Sequence, residues 1–134
     1  MMPLREVLVA VFSAGADAGI GAATSHGRFV RMWKPVCRVD EVPRSGMKEF
    51  MVDGGTRILI VNTGSEYFAY QAQCPHEAVR LEDGIHDGSV LTCLEHLWQF
   101  DVRTGAPLGD AETGLSRYRL KEEEGALHVW IERP

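Results

Sequence analysis

The chain has 134 residues, 45% of them hydrophobic and 25% charged, with a formal net charge of -5. A chain of this length and balance buries one core without disulfides and is not a disordered segment. The acidic balance, with no cluster of Lys or Arg to offset it, excludes a general nucleic-acid binder and suits docking to a basic patch on another protein.

Residues 1–31 stand apart from the rest. They are rich in Ala and Gly, and their apolar run, residues 7–12, is too short to span a bilayer. Glu6 directly after Arg5, and Asp17 further on, break the pattern of a secretory leader. The expected organisation is a mobile extension, or a start of translation at Met32, followed by one domain over residues 32–134.

From Trp33 onward the pattern is one of short strands. "WKPVCRVDEVP" predicts an opening strand stopped by acidic residues and Pro43. "KEFMVDGG" ends on a turn signal, Asp53-Gly54-Gly55, and "RILIVNTG" resumes as an apolar run. Together they predict a hairpin whose second strand is covered on both faces. "EYFAYQAQC" is aromatic and β-prone and delivers the chain to Cys74. "DGIHDG" reads as a hairpin tip around His86, and "SVLTC" then leads to Cys93. "HLWQFDV" alternates, setting Trp98, Phe100 and Val102 against Leu97, Gln99 and Asp101. "LSRYRLKEEEGALHVWIERP" predicts two closing strands about the Glu124-Gly125 turn. Leu127, Val129 and Ile131 alternate there against His128, Trp130 and Glu132, which puts His128 at the surface. No window after residue 31 keeps helical spacing for three turns, so the expected fold is all-β, an antiparallel sandwich or small barrel.

There are three cysteines, Cys37, Cys74 and Cys93. An odd count is a poor disulfide framework, and cysteines spaced together with histidines point to a metal in a reducing, cytoplasmic compartment. Cys37 has no His nearby in sequence and reads as a small buried apolar residue. Cys74 and His76 form C-x-H, Cys93 and His96 form C-x-x-H, and sixteen residues separate His76 from Cys93. Each spacing can project a thiolate and an imidazole to one side of a tight loop. Two such loops at adjacent strand ends would gather four soft or borderline ligands, a set for zinc or for iron-sulfur chemistry. Structural zinc sites pair Cys with Cys and His with His, usually with a helix carrying the histidines. Here both pairs are mixed and no helix is available. That order suits a two-iron cluster in which one iron takes both cysteines and the other both histidines. A zinc-stabilised interaction module is the alternative.

The neighbouring residues carry a resemblance. "YQAQCPHEAVRLEDG" and "GSVLTCLEHLWQFDVRTG" resemble Rieske [2Fe-2S] ferredoxins, in particular the ferredoxin component of toluene-type multicomponent aromatic monooxygenases. The resemblance runs from about Trp33 to the C-terminus and is densest over residues 67–105. It implies a compact β domain with two cluster loops at its tip and one [2Fe-2S] cluster per chain. Cys74 and Cys93 would hold the inner iron, and His76 and His96 the outer, redox-active one. Residues 105–110 would supply a third loop, and backbone amides of residues 73–79 and 93–98 would donate to the sulfides. High-potential members carry a Cys in each loop, joined as a disulfide, where this chain has Val79 and Glu95. They also offer a Ser hydroxyl where it has Leu97 and Trp98. Fewer donors to the sulfurs imply a potential toward the bottom of the roughly -150 to +300 mV span of such centres.

The function implied is one-electron carriage, without catalysis by this chain, from an NADH-dependent flavin reductase to the hydroxylase component of an aromatic-ring oxygenase. The expected carrier is a cytoplasmic monomer. Alternatives are the ferredoxin of a ring-hydroxylating dioxygenase and the small subunit of a nitrite-reductase-like complex. A dioxygenase fragment would need a catalytic iron domain, for which no room follows Pro134. Glu77 and Glu95, each beside a ligand His, are either docking charges or solvated ones, and Trp98 either shields the site or packs the core.

Overall fold

An unbroken apolar run, Ile58-Leu59-Ile60-Val61, is a strand buried on both faces, and the architecture follows from what covers it. A computed structural model describes residues 30–133. The expected extension, with its apolar run at residues 7–12, lies outside the described residues apart from its last two.

The strands, in chain order, are β1 (Val30–Arg38), β2 (Met47–Val52), β3 (Thr56–Asn62), β4 (Tyr67–Gln71), β5 (Ile85–His86), β6 (Val90–Thr92), β7 (Gln99–Asp101), β8 (Pro107–Leu108), β9 (Arg117–Tyr118), β10 (Leu120–Glu123) and β11 (Ala126–Arg133). Every paired strand is antiparallel. The sheets are β2-β3-β4-β9, β1-β11-β10 and β5-β6-β7-β8. Among the described residues the helical elements are two single 3₁₀ turns, Val39–Glu41 and Leu81–Asp83.

The first sheet lies between the other two. Strand side chains alternate between faces, so Ile58 and Ile60 of β3 join Ala69 of β4 and Leu127, Val129 and Ile131 of β11 in one core. Leu59 and Val61 join Phe68, Tyr70, Leu91 and Phe100 in the other. That second core also contains Cys74 and Cys93, so the site is anchored in the packing between the central sheet and β5–β8. The β2–β3 hairpin forms as expected, with Val52 opposite Thr56 across the Asp53-Gly54-Gly55 turn. Gly54 sits at φ 72°, a conformation glycine adopts without steric cost. Asn62 is buried with both ends satisfied: its Nδ2 donates to the Val42 carbonyl at 2.9 Å and its Oδ1 accepts from the Gly64 amide at 2.8 Å.

Several details differ from the sequence reading. β1 starts at Val30, two residues ahead of the expected domain boundary, because Val30 and Arg31 pair with Arg133 and Glu132. The first of the two closing strands is split. Arg117 and Tyr118 pair with β4 in the central sheet, whereas Leu120 to Glu123 pair with β11 in the outer one. Trp130 is buried on the face opposite Leu127, where its ring meets Trp33 edge-on at 5.3 Å. His86 is no ligand. Its Nε2 donates to the Gly46 carbonyl at 3.0 Å and its Nδ1 accepts from the Gly88 amide at 3.0 Å, which ties β5 to the start of β2.

Two predictions follow from this packing. Burial pushes the Tyr70 hydroxyl and the Cys37 thiol up to about 12 each, above their unfolded values of about 10 and about 8.5. Both folded values are raised, so the stability they contribute is complete below the unfolded values and is lost as pH rises toward 12. Urea midpoints should therefore fall across that window. Tyr70→Phe should flatten the fall above about pH 10, and an unchanged slope would contradict the assignment. Gly84 is required for a different reason: a Cβ there would lie 2.2 Å from the Thr92 carbonyl oxygen. Gly84→Ala should cost about 1–3 kcal/mol, read as a lower melting temperature.

Candidate metal centre

The two motifs lie on two loops built alike. The first hangs between β4 and the 3₁₀ turn at Leu81, and the second joins β6 to β7. In the first, the Cys74 amide donates to the Val79 carbonyl at 2.9 Å; in the second, the Cys93 amide donates to the Trp98 carbonyl at 2.8 Å. Each bond runs from the cysteine to the fifth residue on. The loop stems are fastened as well. Gln73 bridges Arg80, and the Leu81 amide donates to the Ala72 carbonyl at 2.9 Å. The Arg80 guanidinium pairs with Glu49 at 3.2 Å and with Glu82, while the Glu49 amide donates to Glu82 at 3.1 Å. The close approach of Gly84 to Thr92 brings the end of the first stem against the residue before Cys93.

All four sequence-predicted residues come together at this tip, in two layers. Cys74 and Cys93 are buried, each 2% exposed, and both are unpaired by disulfide. His76 and His96 are exposed, with ring centroids 4.4 Å apart and planes at 70°. Trp98 is half-buried and lies against His76 at 4.5 Å and Phe100 at 6.4 Å, joining the outer layer to the core. It both packs the core and covers one side of the site. Burial raises the Cys74 thiol above its usual range, the amides of His76 and Glu77 pull the other way, and the neighbouring Cys93 thiol adds to the rise. The amides of Cys74, Val79 and Cys93, expected as sulfide donors, instead bond to backbone carbonyls. Residues 105–110 contribute the short strand β8 beside β7 rather than only a loop.

Sequence reasoning missed two features. Glu77 turns toward the partner loop and brings its Oε2 to 3.4 Å from His96 Nδ1. Leu97 adopts φ 59°, a left-handed conformation costing a non-glycine residue about 1–2 kcal/mol. It is 64% exposed, and nearby Leu94 is 51% exposed. The first depends on side-chain placement across two loops and the second on a backbone angle, so neither leaves a mark in spacing.

The donor set discriminates between metals. A single tetrahedral zinc, with Zn–S of about 2.3 Å and Zn–N of about 2.0 Å, needs its four donor atoms within about 4 Å of one another. Among the described residues, the trio of ligand-type side chains whose donor atoms all lie within 4.8 Å is His76, Glu77 and His96, and neither cysteine joins it. Two buried thiols together with two exposed, adjacent imidazoles are a donor set that would suit a two-iron cluster.

Comparison with known proteins agrees. The Rieske [2Fe-2S] domain family matches residues 32–118. The methanesulfonate monooxygenase ferredoxin subunit of Methylosulfonomonas methylovora is 36% identical over 101 residues, covering 74% of this chain and 80% of that protein. The ferredoxin component of the alkene monooxygenase system of Xanthobacter autotrophicus is 35% identical over 98 residues, covering 72% and 80%. Among solved structures, the ferredoxin of carbazole 1,9a-dioxygenase from Nocardioides aromaticivorans is similar with a TM-score of 0.65 at 28% identity, covering 71% of this chain and 93% of that one. The chain therefore belongs to the Rieske [2Fe-2S] domain family, whose cofactor is a two-iron, two-sulfur cluster.

Proposed function

We propose that this chain is a low-potential Rieske ferredoxin. It carries single electrons from an NADH-dependent flavin reductase to an aromatic-ring oxygenase, a toluene-type diiron monooxygenase. The observation that carries this reading is the layered tip, with its thiols buried and its imidazoles at the surface. Cys74 and Cys93 would hold the inner iron, His76 and His96 the outer one. The bound cluster supplies a one-electron couple.

The chain's own residues do the rest. The cysteines sit in the core and fix the inner side of the site against Leu81, Leu91 and Phe100. The histidine rings meet solvent, so a docked partner approaches the outer side directly. Leu94 and Leu97 give that approach an apolar contact, and Glu77, Glu95 and the net charge of -5 favour a partner with basic residues around it. With Val79 and Glu95 in place of the disulfide cysteines, and Leu97 and Trp98 in place of a hydroxyl donor, the side-chain groups of the high-potential members are missing, which supports a low potential. The carrier we propose is a cytoplasmic monomer; among the described residues no helix is long and apolar enough to cross a membrane. The two monooxygenase relatives support a monooxygenase as acceptor. A ring-hydroxylating dioxygenase is the second reading, supported by the carbazole dioxygenase ferredoxin.

Purified protein should be red-brown, hold two irons per chain and give an EPR signal only after reduction. Cys93→Ser should lose that signal with the iron. A colourless protein with one zinc, or a Cys93→Ser variant with an unaltered cluster, would overturn the ligand assignment. Because docking rests on opposite charges, the rate of reduction by the reductase should fall as ionic strength rises. A rate indifferent to salt in stopped-flow measurements would remove the electrostatic part of the reading.

A further inference from the structure

Two glutamates flank the histidines in sequence, and the fold gives them different places. Glu77 Oε2 lies 3.4 Å from His96 Nδ1, on the opposite loop, and completes the trio within 4.8 Å. Glu95 is exposed and lies outside that trio. The Glu77 carboxylate is thus held beside both imidazoles by the geometry that sets the loops side by side.

Resting on the ligation proposed above, we propose that Glu77 is a potential-setting residue that lowers the midpoint of the couple held by His76 and His96. Reduction adds one negative charge, and a carboxylate a few ångströms from where it arrives disfavours the reduced form. The Glu77 side chain is 42% exposed, so water weakens the effect. The separation is nevertheless well inside the Debye length of about 8 Å at physiological salt, so added salt weakens it little further. The charge acts from a side chain that is not itself a ligand, so it moves the potential without changing the ligand set.

The test is the midpoint potential of the cluster-loaded protein by film voltammetry at neutral pH, for wild type, Glu77→Gln, Glu77→Asp and Glu95→Gln. Iron content and EPR line shape are measured on each. Glu77→Gln should raise the potential, by about tenfold in the reduced-to-oxidised ratio at fixed poise, ~59 mV for a one-electron couple. Its iron content and line shape should match wild type. Glu77→Asp should stay nearer wild type, and Glu95→Gln should shift by less than half as much as Glu77→Gln. An unmoved potential in Glu77→Gln would overturn the inference, and so would an equal shift in Glu95→Gln, which would make net charge the cause. Loss of iron from Glu77→Gln would also overturn it, because the carboxylate would then be holding the site together. Wild type without iron would refute the ligation itself, and iron content reports that before any potential is read.

Discussion

Each loop at the tip is closed by a backbone bond from its own cysteine, Cys74 to Val79 and Cys93 to Trp98, and the site depends on that pair of closures. Closing a loop of this size turns the cysteine side chain inward, toward the stem. It also carries the next residues outward over the top. His76, two residues after its cysteine, and His96, three after, both land on the outer layer. The thiols are buried and the imidazoles exposed because the two loops close in the same way, although their sequences share little else.

Such loops need a stiff base, and the three-sheet arrangement supplies it. A strand buried on both faces packs against two cores at once, so a shift or tilt disturbs the packing of both. β3 is in that position, with Ile58 and Ile60 in one core and Leu59 and Val61 in the other. The core toward the tip then takes in Cys74 and Cys93 themselves. The Tyr70 hydroxyl reaches across that core and donates to the Val102 carbonyl at 2.6 Å. Trp98 extends the same packing outward to His76. Rigidity thus passes from the central sheet to the outer histidines through contiguous side chains.

Much of this was legible in the sequence, and the parts that were not share a cause. The β2–β3 hairpin was readable because a turn signal separates two β-prone runs, and the two-faced burial of β3 because four apolar residues run without a polar one. The four ligand-type residues were readable because two of the three cysteines each have a His at ligand spacing, in a chain with five histidines. The split of the closing segment into β9 and β10 was not readable. Arg117, Tyr118 and Leu120 alternate normally in either sheet, and only the pairing with β4 tells the first two apart. Trp130 lies among outward-facing residues and is buried by a cross-strand neighbour, Trp33, nearly a hundred residues earlier. The Glu77 to His96 contact and the left-handed Leu97 are likewise products of loop geometry. Periodicity reports which face a residue takes, and it is silent about partners that the fold brings from far along the chain.

Ligation of one iron by the cysteine layer and of the other by the histidine layer would make the two irons chemically different. Mössbauer spectroscopy of the iron-loaded protein, oxidised and then reduced by one electron, tests this directly. Two inequivalent irons in equal amount are predicted, with the added electron localised on one and the other remaining ferric. A single class of iron, or an electron shared evenly between two equivalent irons, would contradict the assignment of cysteines to one iron and histidines to the other.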